Sequence, residues 1–167
     1  MIVAFSFVSN SYANGTNWWH NLSQYSRNQL IVDKGAKYLG QNLGNPNGQC
    51  KYWIQNFVVN LASGNHVYLP SNALYPNDYY WNNDPNGHAV GMSIPLQYAE
   101  VGWIVQFRIA GKYYPHTAII AGKSPDGVTF LDSNWLLDTT VRTHFVSYTD
   151  FYNMLESPGS FTIYYIL

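Results

Sequence analysis

Gly48-Gln49-Cys50-Lys51-Tyr52-Trp53-Ile54-Gln55-Asn56-Phe57-Val58-Val59-Asn60-Leu61-Ala62 is the most strongly patterned stretch of the chain. Trp53, Ile54, Phe57, Val58 and Leu61 fall at i, i+1, i+4, i+5 and i+8, one continuous apolar stripe on a 3.6-residue period. The spacing predicts an amphipathic helix over 50–62. The turn-forming run Gly44-Asn45-Pro46-Asn47-Gly48 leads into it and Gly64 ends it. Cys50 then stands in the first turn, on the face that carries Trp53 and Ile54. A thiol there feels the positive end of the helix dipole, which favours thiolate. It also adjoins backbone N–H groups that no helical carbonyl satisfies and that are free for an oxyanion. The glycine of the preceding turn allows a substrate backbone to come close.

Upstream, Leu30, Ile31, Ala36, Tyr38 and Leu39 fit a second helix over 24–39, with Gly40 as its stop. The apolar run 2–8 lacks the positive flank of a cleaved leader, so 1–24 is expected to be an amino-terminal arm or strand. Downstream, 65–100 is rich in Pro, Asn and Tyr and reads as long loops with one short strand. The last third reads as sheet: 102–109, 117–121, 128–132, 141–146 and 161–166 are β-branched or aromatic runs between turns, with a short helix at 149–155. No internal repeat, charge block or linker divides the chain. Helices followed by strands predict a single α+β domain over 1–167, its amino-terminal helices packed on an antiparallel β-sheet.

Composition narrows the function. The chain has 167 residues, 47% of them hydrophobic, and a net charge of -1, so it is long and apolar enough to bury a core. Eight Lys and Arg against nine acids leave no basic surplus for nucleic acid, and no run is long enough to span a membrane. Only 10% of residues are charged while 17% are aromatic and 18 are Asn. A surface whose polarity comes from amides and hydroxyls suits sugars or peptides better than phosphates. The single cysteine forms no internal disulfide. The chain has neither a His-x-x-x-His pair nor a four-cysteine set, so no metal or other cofactor is expected. Asn82-Asn83-Asp84-Pro85-Asn86-Gly87 lacks the closing Glu of a calcium loop and reads as an Asn-rich turn.

A lone Cys is either buried filler or a nucleophile, and a nucleophile needs a base. Of His20, His66, His88, His116 and His144, His116 has the most informative setting. It opens the strand 117–121, and Ser124-Pro125-Asp126-Gly127 then turns the chain back into 128–134. In a hairpin centred there, paired residue numbers sum to about 251, within roughly one, which brings His116 opposite the 134–136 end. Asp132 and Asn134 share a face if the strand stays regular, and either one accepts the Nδ1 proton of His116. His20, His66 and His88 fall in loop-like sequence, and His144 falls in a strand beside the sheet.

The pattern resembles a known family. Gly48-Gln49-Cys50-Lys51-Tyr52-Trp53 resembles the nucleophile motif of CHAP domains, the cysteine- and histidine-dependent amidohydrolases/peptidases of papain-like fold. Gly102-Trp103-Ile104-Val105, Pro115-His116-Thr117-Ala118-Ile119-Ile120 and Leu131-Asp132-Ser133-Asn134-Trp135 resemble that family's later blocks in the same order, over roughly 25–166. The resemblance implies a Cys–His–(acid or amide) site. Cys50 is then the nucleophile and His116 the base, with Asp132 or Asn134 as orienter. Gln49 would join the Cys50 N–H at the oxyanion, and Trp53 and Trp135 would contact substrate. Trp103 replaces the Asp usual in the family's Gly-Asp-Ile-Val block, which predicts altered packing or an altered substrate rim.

The family acts on amides, chiefly the muramoyl-peptide and peptide bonds of peptidoglycan. The expected partner is therefore peptidoglycan or another amide or peptide, with no nucleic acid and no membrane span, for a monomeric chain at the cell surface or secreted. Two other readings stand beside it. One is a non-catalytic carbohydrate- or peptide-binding module on the same fold; the other is a transferase that passes the Cys50 thioester to an amine. The aromatic residues of 65–100 either bind substrate or cover the core.

Overall fold

A computed structural model describes residues 18–70, 79–81 and 84–167. Expectations for 1–17, 71–78 and 82–83 lie outside the described residues.

The amino-terminal helix, α1 (Gln24–Ala36), is capped by Ser23, whose hydroxyl accepts from the Ser26 N–H. The second helical run is not the uniform α-helix that the stripe predicts. It opens as α2 (Cys50–Trp53), widens into a π-helical segment (Ile54–Val59) and closes as α3 (Asn60–Ala62). Widening the turn adds about one residue per circuit and moves the buried face along the sequence. Trp53, Ile54 and Val58 stay buried as expected, but Val59 and Ala62 join them while Leu61 turns outward, 40% exposed. Gly64 takes the left-handed conformation at φ 62°, as the cap required.

Among the described residues six antiparallel strands form one sheet: β1 (Ala89–Met92), β2 (Ile104–Phe107), β3 (His116–Lys123), β4 (Gly127–Ser133), β5 (Val141–Ser147) and β6 (Phe161–Ile166), in the order β1-β6-β2-β3-β4-β5. A short helix, α4 (Tyr148–Met154), joins β5 towards β6 and is capped by Ser147. Period-two alternation sorts the strand residues into two cores. Ile104, Ile119, Leu131 and Tyr164 face α1 and the 50–62 helical run, with Trp19, Ile31, Trp53 and Val58. Val105, Phe107, Ala118, Ile120, Phe130 and Ile163 face the other way, with Phe151 of α4, Leu155 and Leu96. Both faces are covered, so β2 is buried throughout and β3 from His116 to Ile120.

The β3–β4 register brings Ile119 opposite Leu131 and Ile120 opposite Phe130, and an irregularity at Ala121 shifts it by one toward the turn. His116, Ala118 and Ile120 share a parity, as do Phe130 and Asp132, so His116 and Asp132 emerge on the same side of the hairpin. The 19–24 stretch packs down rather than trailing: Trp19 is fully buried and its indole N–H donates to the Leu167 carbonyl at 2.7 Å. Among the described residues no helix is long and apolar enough to cross a membrane.

Candidate active site

Cys50 begins the helical run, and a web of contacts fixes the turn that presents it. Ser133 Oγ donates to the Gly48 carbonyl at 2.7 Å. Asn134 Nδ2 donates to Gln49 Oε1 at 3.1 Å, and Gln49 Nε2 donates to Asn45 Oδ1 at 2.5 Å. Gly48 is required for a reason other than substrate access: a Cβ there would lie 2.4 Å from Thr139 Cβ and 2.6 Å from its carbonyl oxygen. The backbone that approaches this glycine is the protein's own β4–β5 connection.

His116 opens β3 and is nearly buried, 7% exposed, beside Cys50 at 8%. Its Nε2 is 2.8 Å from Asp132 Oδ2, and Asp132 is fully buried on β4. The expectation that Nδ1 meets the orienter is thus reversed, and Nδ1 is the nitrogen left for the thiol. The start of α2, where Cys50 stands, packs on β3, and the Cys50 thiol and the His116 imidazole interact electrostatically. Burial alone would push the thiol up, yet the His116 charge and hydrogen bond, the Thr117 backbone and the Tyr79 hydroxyl bring it below its ordinary value. Burial likewise opposes the imidazolium, but the Cys50 and Asp132 charges outweigh it and raise His116 to about 10. The opposed shifts favour charge separation between thiol and imidazole.

Backbone geometry gives Asp132 and Asn134 different partners. β4 ends at Ser133, and Asn134 adopts φ 68° instead of continuing the strand. Its side chain turns to Gln49 Oε1 and accepts from the Thr139 N–H at 3.1 Å. Asp132 meets the imidazole, while Asn134 ties the Cys50 turn to the β4–β5 connection.

A groove of about 660 Å³ opens beside the pair. Gln49, Cys50, His116, Asn134 and Trp135 line it, with Tyr113, Tyr114 and Leu137 at its mouth. Trp53 does not reach it. Its indole is fully buried, edge-on to Tyr38 at 6.3 Å, so the expected substrate contact is replaced by a core role. The strong apolar stripe that places Trp53 on the helix also commits it to the core. Trp103 packs against Tyr165 at 5.8 Å and does not line the groove.

Among the described residues of 65–100, Tyr79 and Trp81 are buried, Tyr68 and Tyr98 are exposed, and no aromatic of this stretch lines the groove. Tyr79 nonetheless belongs to the site, and sequence reasoning missed it. Its hydroxyl bonds Thr117 Oγ1 and lies 4.0 Å from Cys50 Sγ. Burial and the Cys50 charge push the Tyr79 phenol well above its usual range, so it stays protonated. Lys51, 1% exposed, holds the tyrosine from behind by donating to its carbonyl, with the ammonium 5.0 Å from the Tyr79 ring and 5.4 Å from that of Trp81. No periodicity or spacing marks Tyr79, because its contact with Cys50 spans 29 positions of sequence.

No protein-family profile matches the chain, and no curated protein is similar to it. Solved structures do match. The crystal structure of Ly7917 is similar over 81% of this chain and 61% of its own, with TM-score 0.55 and 15% identity. The crystal structure of Ly7917 with the hydrolyzing product of MDP is similar over 81% of this chain and 62% of its own, with TM-score 0.57 and 14% identity. The likeness is one of fold, and the chain spans about three fifths of the length of those relatives.

Proposed function

We propose that this protein is a cysteine amidohydrolase or peptidase of the CHAP type, on a papain-like fold, acting on peptidoglycan peptide or muramoyl-peptide amide bonds. The observation that carries the reading is a groove lined by both Cys50 and His116, with the buried His116 imidazole 2.8 Å from the buried Asp132 carboxylate. The structural relative that holds a hydrolysis product of MDP, muramyl dipeptide, supports the choice of substrate.

In this reading the Cys50 thiolate attacks the amide carbonyl, and the tetrahedral oxyanion forms beside the N–H groups of the first helical turn. Gln49 Nε2 keeps a second hydrogen, beyond the one given to Asn45, that supplements them. His116 gives its proton to the departing amine, leaving an acyl thioester on Cys50. It then takes a proton from the water that attacks the thioester, and collapse of the adduct releases the carboxylic acid, which ionises in solvent, and restores the Cys50 thiolate beside the imidazolium. Asp132 keeps the ring oriented through both steps. A monomer acting outside the cell or at its surface, where such substrate lies, belongs to the same proposal.

The test is digestion of purified sacculi with mass spectrometry of the soluble products. Hydrolysis releases new amine and carboxyl ends without new reducing sugar ends. Saturable glycan binding with no bond cleaved would overturn the enzyme reading in favour of a binding module. Products joined to an added amine would reassign the thioester to transfer.

A further inference from the structure

The carboxylate that orients His116 has a second imidazole against it. His144 lies on β5 opposite Phe130, on the same side of the sheet as Asp132. Its Nε2 is 3.7 Å from Asp132 Oδ2, the oxygen that receives His116 Nε2 at 2.8 Å. That separation is too long for a hydrogen bond, and neither ring nitrogen of His144 has a partner among the described residues although both are buried. The ring is clamped by aromatics: it stacks on Trp135 at 4.2 Å and 28° and meets Phe130 edge-on at 5.9 Å. Trp135 also stands edge-on to His116 at 5.1 Å, so one indole walls both imidazoles. Two unsatisfied ring nitrogens are a poor way to fill apolar space, and a phenyl ring would fill it without that cost.

We propose that His144 is a positioning residue that acts on His116 through Asp132, leaving the carboxylate to His116 when neutral and competing for it when protonated. The inference rests on the Cys50–His116 reading above. The groups that face His144 are the Asp132 carboxylate from β4, the His116 ring from β3, the Trp135 and Phe130 rings and, on β5 itself, Arg142. Arg142 is engaged elsewhere, its guanidinium forked onto Asp138 at 2.6 and 2.5 Å. Burial and the His116 charge, opposed by Asp132, hold His144 below the ordinary imidazole range, so the ring is neutral at neutral pH. As pH falls through its pKa, the Nε2–H becomes a charged donor. A ring movement of less than about 1 Å then brings it within hydrogen-bond length of Oδ2. The His116 imidazolium loses part of its counter-charge, and the thiolate it supports weakens with it.

The experiment measures the rate of Cys50 alkylation by iodoacetamide from about pH 4 to 8 in the wild type, His144→Phe and His144→Gln, each normalised to its own neutral plateau. Imidazole nitrogen shifts followed by NMR accompany the rates. The wild-type rate is expected to fall in a two-proton acid limb. Both variants should show a one-proton limb displaced to lower pH, so that near about pH 5 they retain roughly threefold more of their plateau rate. In the wild type the His144 and His116 shifts should move together through one coupled step, a readout that stands even if a variant fails to fold. Identical acid limbs in all three proteins, or uncoupled shifts, would overturn the inference while leaving the Cys–His pair intact. An ordinary thiol titration in the wild type would overturn the pair itself, and the inference with it.

Discussion

The floor of the groove and its rim follow opposite rules. On the floor, Cys50, His116 and Asp132 are each less than a tenth exposed, and neighbouring turns are pinned by Ser133, Gln49 and Asn134. At the rim, Tyr113, Tyr114 and Leu137 are 75%, 63% and 76% exposed, and the two tyrosines chiefly pack on each other, edge-on at 4.7 Å. Charge separation between thiol and imidazole needs fixed partners and little water, whereas an extended polymer needs surface it can reach. Substitutions on the floor should therefore act on kcat, and substitutions at the rim on KM.

The sharpest break of that division is Cys50→Ala. Release of soluble products from sacculi should fall by roughly 10³-fold or more with the melting temperature little changed, because the proposed mechanism makes Cys50 the nucleophile. Asp132→Asn comes next. It removes the charge that holds the imidazolium and should lower kcat/KM by roughly 10²-fold, against about tenfold or less for Asn134→Ala, which touches Gln49 rather than the ring. Equal losses in steady-state kinetics would erase the distinction between the two residues. Gly48→Ala places a methyl against Thr139 and should destabilise the fold by about 1–3 kcal/mol in thermal or denaturant unfolding, with a drop in kcat as the Cys50 turn shifts. The smallest effect belongs to the rim: Tyr113→Ala should raise KM a few-fold, roughly 1 kcal/mol of binding, with kcat unchanged.

What was legible in the residues was mostly what local periodicity controls. The stripe from Trp53 to Leu61 places Cys50 at a helix start, and the Ser-Pro-Asp-Gly turn sets the β3–β4 hairpin to within one residue. That is enough to bring His116 and Asp132 to one side of the sheet. The π-helical segment was not legible, because one added residue per turn leaves the apolar pattern nearly unchanged while turning Leu61 outward and Val59 inward. Nor was the separation of Asp132 from Asn134. It depends on a positive φ at Asn134 that is supported by contacts with Gln49, 85 positions away, and with the Thr139 N–H. Trp53 was misassigned for the same reason that it was noticed, since a large apolar residue on a strong stripe belongs to the core. His144 was readable only as a strand residue; its approach to Asp132 needs the β4–β5 register, which no short turn fixes.

All of these expectations depend on Cys50 being held as a thiolate by His116, and the pH dependence of alkylation tests that directly. With Cys50 shifted down and His116 raised to about 10, the ion pair persists from below the usual thiol range up to the loss of the imidazolium proton. The iodoacetamide rate should therefore be high and nearly flat through neutrality in the wild type, and His116→Ala should convert it to a single titration near the free-thiol value of about 8.5. A wild-type protein that already titrates there, at a rate indifferent to His116→Ala, would contradict the account.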